Sequence, residues 1–501
     1  MRSSRPNRVP VDRGRRTLRA LPLLPVPAPS GPASSVPPLA LELAARFTAA
    51  GHEIALVGGT VRDALLGRLQ DDLDFATSAR PEQTRSLVEG WAEAVWETGI
   101  AFGTIGAQRS GHRLEITTYR SEAYDPQSRK PAVEYGDTLV GDLRRRDFTV
   151  NAMAVTLPGS ELVDPYGGLD DLAAGRLCTP ATPQESFSDD PLRMMRAARF
   201  VAQLGFSVDP TVRAAIAEMA ERLSIVSAER VQTELVKLVE GDHPVPALRL
   251  LVETGVGDVV LPELGRLRLE IDEHHRHKDV YEHTLTVLAQ AMALETAPDG
   301  AIARPDFVLR FAALMHDVGK PRTRQLEPDG GVSFHHHEVV GAKMTRKRMQ
   351  ALRFSADVTT QVSDLVGLHL RFHGFGDGGW TDSAVRRFVR DAGPQLARLV
   401  ALTRADVTTR NRRRAAMLQA QVDELEERIV ALKAQEELDA IRPDLDGQQI
   451  MVLLGIPPGP TVGRAYRFLL DRRLDRGPVD AATAESELLA WWADQPESGA
   501  G

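Results

Sequence analysis

The chain has 501 residues, more than one ordinary hydrophobic core accommodates, so we expect several domains. Its apolar fraction of 43% and charged fraction of 26% are typical of globular proteins, and no run of about 20 apolar residues predicts a membrane span. A net charge of -8 argues against a protein that coats nucleic acid unselectively, while the single cysteine, Cys178, excludes an internal disulfide and fits a cytoplasmic location.

Composition and hydrophobic patterning change along the chain. Residues 1–38 are rich in Arg and then in Pro, which predicts a disordered tail. Over residues 39–180, strand-like runs (EIALVGG, LDFAT, RLEITTY, AVTL) alternate with helical stretches and predict a mixed α/β head. From residue 181 onward, helical stretches separated by Gly and Pro predict an all-α remainder, in which the spacing from Leu418 to Leu432 indicates one long packed helix. The expected fold class is therefore α+β.

The first distinctive motif is LVGGTVRD, in which Gly58 and Gly59 follow the first predicted strand. Thr60 and Asp63 match a capping box for the helix that follows. Backbone amides at such a helix start can hold phosphate oxygens, and Arg62 would add a cation. Turns of this kind are also common in proteins that bind no phosphate, so the motif alone leaves both interpretations open.

The next motif places Asp72 and Asp74 one residue apart in a predicted strand. They therefore share one face, while Leu73 and Phe75 lie on the opposite, core-facing side. Two carboxylates this close repel unless a cation separates them, and Mg²⁺ accepts carboxylate oxygens together with substrate phosphates. Two such ions activate an attacking hydroxyl and stabilise a leaving pyrophosphate. Taken alone, the pair is explained more simply as a solvated acidic strand end.

Two later stretches extend this candidate site. Glu115 alternates with apolar neighbours in RLEITTYR and would add a third carboxylate to the same face, although a cross-strand salt bridge explains it nearly as well. In RRDFTVNAMAV, Arg145 and Arg146 would grip a triphosphate, with Asp147 and Asn151 for a ribose or a helix cap.

The combination of motifs resembles a known family. GGTVRD, DDLDFAT, RRDFTVNAMA, DPYGGLDDL, DDPLRMMRAARF and ERVQTELVKL occur over residues 54–240 in the order and at the spacing of the class II tRNA nucleotidyltransferases, the CCA-adding enzymes, and of the related bacterial poly(A) polymerases. The resemblance implies catalysis by Asp72, Asp74 and Glu115, with the two aspartates binding Mg²⁺. The nucleotide-binding residues that it implies are Gly58, Gly59, Arg62, Asp63, Arg145, Arg146, Asp147, Asn151, Asp190, Arg193, Arg196 and Arg199.

Asp190 and Arg193 fall where the resembled family reads the incoming base. The family usually has Glu-Asp where this chain has Asp189 and Asp190. An aspartate only accepts and an arginine only donates hydrogen bonds, which suits cytosine and adenine because both present the same donor-acceptor order. Alternatively, Pro191 fits the first position of a helix that Asp190 caps. A phosphate-binding stripe is another interpretation of Arg193, Arg196 and Arg199.

A second resemblance begins beyond residue 275. VYEHTL, ALMHDVGK, FHHHEVVGA and TRADVTTR are similar to motifs of the HD superfamily of metal-dependent phosphohydrolases. This resemblance implies a divalent transition-metal site, or equally a retained helical scaffold whose site no longer catalyses a reaction. Its implied ligands are His283, His316, Asp317 and Asp406, with His337 and His369 as candidates for a second metal or for supporting contacts. A basic face, or simply a solvated one, is formed in TRADVTTRNRRR by Arg404, Arg410, Arg412, Arg413 and Arg414.

The two resemblances divide the chain into a nucleotidyltransferase head (39–180), a base-reading neck (181–245), a helical body with the HD domain (246–410) and a tRNA-contacting tail (411–501). They imply template-independent addition of CCA to tRNA from CTP and ATP, with no membrane and no obligate protein partner. Poly(A) polymerase and A-only or CC-only enzymes share these motifs. An HD phosphohydrolase with a vestigial head and a noncatalytic RNA-binding protein are alternatives of other classes, against which Asp72, Asp74 and Arg193 argue together.

Overall fold

The computed structural model describes residues 36–68, 72–123, 132–136, 138–268, 279–296, 302–328, 331–374, 380–408, 411–436, 438 and 441–495. The predicted N-terminal tail lies outside the described residues up to position 35. The first helix begins at Pro38, one residue inside that predicted tail.

The head consists of ten strands and five helices within the described residues. Its helices are α1 (Pro38–Ala49), α2 (Gly59–Leu65), α3 (Pro81–Val88), α4 (Leu139–Arg144) and α5 (Gly168–Ala174). Short 3₁₀ helices span Ile100–Phe102 and Thr149–Asn151. Its strands are β1 (Ile54–Val57), β2 (Asp72–Thr77), β3 (Ala94–Trp96), β4 (Thr104–Arg109), β5 (His112–Thr118), β6 (Arg120–Ala123), β7 (Ala132–Tyr135), β8 (Ala154–Leu157), β9 (Leu162–Val163) and β10 (Arg176–Leu177).

A seven-stranded mixed sheet forms the centre of the head, in the order β3-β4-β5-β2-β1-β8-β9. The β2 and β5 strands pair in parallel, whereas the other neighbours are antiparallel. Every residue of β1 is buried, because it lies inside the sheet and the apolar stripe of α1 packs against it. A separate hairpin of β6 and β7 follows β5.

Helices dominate the remainder, as the sequence predicts. They are α6 (Pro183–Asp189), α7 (Leu192–Leu204), α8 (Pro210–Met219), α9 (Ala228–Val239), α10 (Pro244–Glu253), α11 (Val256–Val260), α12 (Pro262–Gly265), α13 (Val280–Ala293), α14 (Phe307–Met315), α15 (Lys320–Thr323), α16 (His337–Ala351), α17 (Ala356–Leu368), α18 (Asp382–Ala392), α19 (Leu396–Asp406), α20 (Arg412–Gln435), α21 (Gly447–Leu454), α22 (Pro460–Arg476) and α23 (Ala481–Ala493). Short 3₁₀ helices span Ala220–Ile225, Arg371–Gly374 and Gly393–Gln395.

Three short strands interrupt this helical region. The strand β11 (Ser207–Val208) pairs in parallel with β10 of the head. The strands β12 (Gln325–Leu326) and β13 (Val332–Ser333) form a small hairpin. The fold is α+β, with a mixed sheet in the N-terminal head followed by helices, as predicted.

Most core residues belong to one of two separate hydrophobic interiors. One extends without a break from α1 through the head and the helices up to Leu438. The predicted long helix is α20, whose buried residues Val422, Leu425, Ile429 and Leu432 pack into this main core. A second interior joins α21, α22 and α23, with members from Leu445 to Leu488. No helix among the described residues is long and apolar enough to span a membrane.

Candidate active site and metal centre

The predicted carboxylate face forms on the central sheet. Asp74 of β2 stands directly opposite Glu115 of β5 in the parallel register, and Asp72 lies two residues earlier on the same face. Asp72 and Glu115 are exposed and Asp74 is half-buried, whereas Leu73 and Phe75 are buried on the other side. The three carboxylates therefore share one solvent-facing surface.

Thr60 attaches the start of α2 to this strand. Its hydroxyl accepts a hydrogen bond of 2.9 Å from the backbone N–H of Asp74. The predicted capping box of Thr60 and Asp63 is wrong, because α2 has Gly58 at its N-cap position and no side-chain cap. Asp63 instead pairs with Arg62 at 2.7 Å. The pattern of residues fits a capping box, but β2 occupies the side chain of Thr60 and the adjacent Arg62 occupies that of Asp63.

Asp74 has an unusual proton affinity. The pKa of its carboxyl is raised from 3.8 to about 6, mainly by burial and in part by the nearby Glu115 and Asp72, while Arg146 and Arg62 lower it. Burial and the two neighbouring acids thus disfavour an anion at this position. A divalent cation between these carboxylates would relieve the same repulsion, so the donor set fits Mg²⁺.

Arg145 and Arg146 are held by a residue that the sequence analysis did not identify. Asp142, whose side chain is fully buried, accepts from Arg145 at 2.5 Å and from Arg146 at 3.1 Å. The two arginines hold the pKa of the Asp142 carboxyl below its usual range, although burial acts in the opposite direction. The acid precedes its partners by three and four residues, the spacing of neighbours on a helix. That spacing was the available indication of its role.

Arg146 also reaches the glycine turn. A Cβ on Gly58 would lie 2.9 Å from Nη1 of Arg146 and 3.8 Å from Oδ2 of Asp74. Gly58 has φ of 67°, a conformation that glycine adopts without strain. The turn, the cation and the central carboxylate therefore meet at one point, where the sequence analysis expected a triphosphate.

The other two predicted members of this region bind each other. Asn151 donates to Oδ1 of Asp147 at 3.0 Å and accepts from Arg62 at 2.7 Å. Asp147 is buried and also accepts from the N–H of Phe148, but the 3₁₀ helix at Thr149–Asn151 has no side-chain cap. The contacts of Asp147 are therefore a local network rather than the alternative helix cap.

Asp190 and Arg193 lie at the junction of α6 and α7, and each has separate partners. Asp190 accepts from the N–H of Leu192 at 3.0 Å and from Arg230 of α9 at 2.7 Å. Arg193 donates to the carbonyl oxygen and hydroxyl of Ser186. Helix α7 begins at Leu192, one position later than predicted, but Asp190 does bind its first turn as a cap would.

Arg193 also donates to the backbone carbonyl of Arg145 at 2.5 Å, which joins the neck to the head. Further along α7, Arg196 pairs with Asp147 at 2.6 Å and Arg199 with Glu234 of α9 at 2.8 Å. The guanidinium of Arg199 lies 4.2 Å from the ring centroid of Phe200. The three arginines of the proposed stripe therefore line the cleft, the last two with acidic partners, and their binding of phosphate stays a prediction.

One cleft of about 860 Å³ connects these groups. Its floor carries Asp74 and Glu115, one wall carries the arginines of α7, and the side of β4 carries Phe102 and Thr104. Besides these, its lining includes Gly58, Gly59, Arg62, Arg120, Arg145, Arg146, Asp147, Asn151, Asp189, Asp190, Arg193, Arg196, Arg199 and Arg230. Asp63 is buried against Arg62 instead. The sequence analysis did not identify Phe102 or Arg230, since isolated side chains carry no spacing pattern.

The HD motifs assemble a second site in the body. Nε2 of His283 lies 3.3 Å from Nε2 of His316, 3.4 Å from Asp317 and 3.1 Å from Asp406. Asp317 is buried, and its pKa is lowered well below its usual value because His316, His337 and Lys320 outweigh burial. The structure thus brings together all the ligands that the sequence implied.

His337 and His369 complete a second group around the same aspartate. Oδ1 of Asp317 lies 3.3 Å from Nε2 of His337 and 4.0 Å from Nε2 of His369, while Oδ2 lies 3.3 Å from Nε2 of His316. Asp317 is therefore shared by two groups whose ligand atoms lie within 4.8 Å of one another. The pKa of His369 is lowered to about 3, mainly by burial and in part by His316.

The outer nitrogens of these rings are fixed by protein oxygens. Nδ1 of His316 is hydrogen-bonded to the carbonyl of Ala313, Nδ1 of His337 to that of Phe334 and Nδ1 of His369 to that of Val366, at 2.7–2.8 Å. In His283 it bonds the Thr408 hydroxyl at 2.9 Å. Nδ1 of each of the first three rings must donate to its carbonyl, so in the neutral ring the Nε2 lone pair points inward, as in metal-binding histidines. The donor set fits one or two transition-metal ions.

Comparisons with known proteins match the two domains that carry these sites. Residues 54–178 match the family model for the poly A polymerase head domain, and residues 205–267 match the model described as the probable RNA and SrmB-binding site of polymerase A. Residues 280–411 match the HD domain model. An A-adding tRNA nucleotidyltransferase of Deinococcus radiodurans is 33% identical over 447 residues, 88% of this chain and 96% of that protein.

Other relatives carry a different name. A CCA-adding enzyme of Geobacillus sp. (strain WCH70) is 44% identical over 207 residues, 41% of this chain, and the match spans only half of that relative. The crystal structure of Bacillus stearothermophilus CCA-adding enzyme in complex with CTP has a TM-score of 0.63 and 25% identity, covering 90% of this chain and 96% of that one. Thermotoga maritima CCA-adding enzyme complexed with tRNA shares the fold at 17% identity and a TM-score of 0.58, covering 91% and 97%.

The head fold with its carboxylate face and the HD centre define the class of protein: a nucleotidyltransferase that carries an HD domain. The chain belongs to the family of tRNA nucleotidyltransferases and bacterial poly(A) polymerases.

Proposed function

We propose that the chain adds CCA to the 3' ends of tRNA, using CTP and ATP. The observation that carries this proposal is the pair of Asp74 and Glu115 in a cleft lined by arginines, with Asp72 two residues before Asp74 on the same strand face. A terminal 3' hydroxyl attacks the α-phosphate and pyrophosphate leaves. This reaction needs anion-binding groups beside a cation site, and the cleft supplies both.

Asp72 and Asp74 would hold Mg²⁺, which when bound activates the hydroxyl and neutralises developing charge on the phosphates. Arg146 and the backbone of the glycine turn hold the triphosphate, because they meet beside Asp74. Asp142 is a positioning residue, since it fixes both Arg145 and Arg146. Arg62 binds Asp63 and Asn151 and therefore helps to fix the conformation of the glycine turn.

Asp190 and Arg193 select the base in this proposal. Arg193 is oriented by Ser186 and the Arg145 carbonyl, so its guanidinium has a fixed direction. Asp190 binds Arg230, which is about half exposed and can release the carboxylate to a base at little cost. Uracil and guanine present the reversed donor-acceptor order and would leave buried groups unpaired.

Product sequencing tests the proposal. Purified protein is incubated with tRNA that lacks CCA, with each nucleotide alone and with CTP and ATP together. We expect CC addition from CTP and complete CCA from the mixture, and Asp72→Ala should abolish both while tRNA affinity stays within a few-fold. Near-normal incorporation by Asp72→Ala would contradict the two-metal assignment. Asp190→Arg combined with Arg193→Asp should shift preference toward UTP and GTP.

A-only addition is the second candidate. It is favoured by the Deinococcus relative, which is matched over 96% of its length and is named an A-adding enzyme. An A-only enzyme would extend tRNA that already ends in CC and would leave tRNA that lacks CCA unchanged. The same sequencing experiment on both tRNAs separates the two candidates.

The HD centre would hold a divalent transition metal through His283, His316, Asp317 and Asp406, with His337 and His369 available for a second ion. Histidine rings that can bind a metal in their neutral form converge on the shared carboxylate of Asp317, and this supports the assignment. Elemental analysis of the purified protein and of His316→Ala tests it. The domain division given above, and a cytoplasmic location consistent with one cysteine, are part of the same proposal.

A further inference from the structure

An aromatic and basic cluster lies around Phe102, on the β4 side of the cleft. Phe102 has half of its side chain exposed and lines the cleft, whereas the other phenylalanines of the head are buried. It ends the short helix Ile100–Phe102, and Gly103 follows with φ of 73°. Because its ring is exposed in a polar cleft, Phe102 does not contribute to packing of the core.

Two further side chains surround the turn that carries Phe102. A Cβ on Gly103 would lie 3.1 Å from the Tyr135 ring and 3.9 Å from Nε of Arg120. The guanidinium of Arg80 lies 4.7 Å from the centroid of the Tyr135 ring, which is itself 38% exposed. We call Phe102, Tyr135, Arg80 and Arg120 the β4 shelf; Phe102 and Arg120 line the cleft, and the other two adjoin them. It combines exposed aromatic rings with cations, as single-stranded RNA sites do.

The order of strands relates the shelf to the reaction. The glycine turn follows β1, the carboxylates lie on β2 and β5, and Phe102 of the shelf precedes β4. Three strand spacings, roughly 14 Å, separate β1 from β4. Thr117, two residues beyond Glu115 on the same face, and its partner Thr104 line the cleft between the carboxylates and Phe102. The surface is therefore continuous from the phosphate end to the shelf.

The stereochemistry of phosphoryl transfer decides what the shelf binds. The attacking and leaving oxygens lie roughly in line on opposite sides of the phosphorus. With the triphosphate at the glycine turn, the pyrophosphate leaves toward β1. The 3' hydroxyl must then approach from the side of β5 and β4, where the shelf lies. We propose that the terminal base of the RNA acceptor stacks on Phe102, while Arg80 and Arg120 face its backbone; this rests on the function proposed above.

Steady-state kinetics distinguish the acceptor from the incoming nucleotide. Phe102→Ala should raise KM for tRNA lacking CCA about tenfold, since stacking of one base has this order of magnitude. KM for CTP should stay within twofold, and Phe102→Tyr should restore the tRNA value. Ile100→Ala is the matched control, because Ile100 is exposed in the same short helix outside the cleft lining. A rise in KM for CTP with unchanged KM for tRNA would overturn the proposal.

A binding measurement needs no catalysis. A tRNA lacking CCA, with 2-aminopurine as its terminal base, should lose fluorescence on wild type and on Phe102→Tyr and keep most of it on Phe102→Ala. Equal quenching by wild type and Phe102→Ala would overturn the shelf. If the wild type quenches the probe but extends no tRNA, the function proposed above fails while the shelf stands.

Discussion

Asp74 illustrates how a single carboxyl group links stability to pH. Its pKa of about 6 lies above the ordinary 3.8, so folding favours its protonated form. The protonated Asp74 therefore adds to the free energy of unfolding at low pH, and this contribution is lost as pH rises through 6. The metal-free protein therefore carries an unfavourable charge at neutral pH, which a bound cation would compensate.

Asp74→Asn should accordingly increase the free energy of unfolding of the metal-free protein at pH 7.5, by about 1–2 kcal/mol after allowance for solvent screening. Near pH 4 the gain should vanish, because the wild-type carboxyl is then largely protonated. Urea denaturation with a chelator at both pH values measures this. Asp72→Asn, at an exposed position on the same face, is the control and should have a smaller effect. A loss of stability at pH 7.5 would contradict the assignment.

We expect Asp142 to behave differently from Asp74, because its charge is buried and paired with two arginines. Asp142→Asn leaves Arg145 and Arg146 without their anion, so the free energy of unfolding should fall by about 3 kcal/mol. KM for both CTP and ATP should rise about tenfold, since the arginines lose their fixed positions. Asp170→Asn, on an exposed position of α5, serves as the control. Unchanged nucleotide KM would show that Asp142 only supports the fold.

The candidate site was predictable from sequence where its residues follow a strand period or a family motif. Asp72, Asp74 and Glu115 belong to this group, because alternation assigns them to one face before any contact is known. Asp142 was missed, since nothing in GDLRRRD indicates that its carboxylate is buried. Thr60 was misassigned because a strand distant in sequence, rather than its own helix, takes up its hydroxyl.

At the scale of elements, the turn between β1 and α2 combines two constraints at one residue. Gly58 has positive φ, and its missing Cβ leaves space for Arg146. Gly58→Ala should therefore lower kcat/KM for CTP and ATP about tenfold or more, and it should cost about 1–3 kcal/mol of stability.

Gly67 provides a matched control for that substitution. Its φ is 71°, but a Cβ there would have no neighbour within 4 Å. Gly67→Ala should reproduce the loss of stability and leave nucleotide kinetics unchanged. If both variants impair kinetics equally, backbone strain rather than displacement of Arg146 is responsible.

Long elements were easier to predict than short ones. α7, α9 and α20 show apolar residues at three- and four-residue spacing, and all three form as expected. The two-residue strands β10 and β11 have no period to detect, and their pairing joins the head to the neck across 31 residues of sequence. Such pairing depends on tertiary structure, which local patterns do not record.

At the scale of the whole molecule, the two candidate sites use separate residues from distant parts of the chain. His316→Ala combined with Asp317→Ala should leave nucleotide addition within twofold of wild type, while it removes metal from the HD centre. Elemental analysis and primer extension on the same preparation measure both effects, and circular dichroism confirms folding. A folded double variant that no longer adds nucleotides would show that the sites are coupled.

The two hydrophobic interiors also bear on where the chain can be divided. Glu436 pairs with Arg386 at 2.8 Å on the side of the main core, and Arg473 pairs with Asp444 at 3.0 Å on the side of the second one. A cut between residues 438 and 444 keeps these two pairs, but it separates Arg473 from Glu436, 3.6 Å away, and Arg387 from Asp475, 2.7 Å away. We expect a chain ending at residue 443 to unfold cooperatively, as circular dichroism would show. Loss of the C-terminal module would thus leave Glu436 paired with Arg386, whereas Arg387, whose side chain is 30% exposed, would exchange Asp475 for solvent.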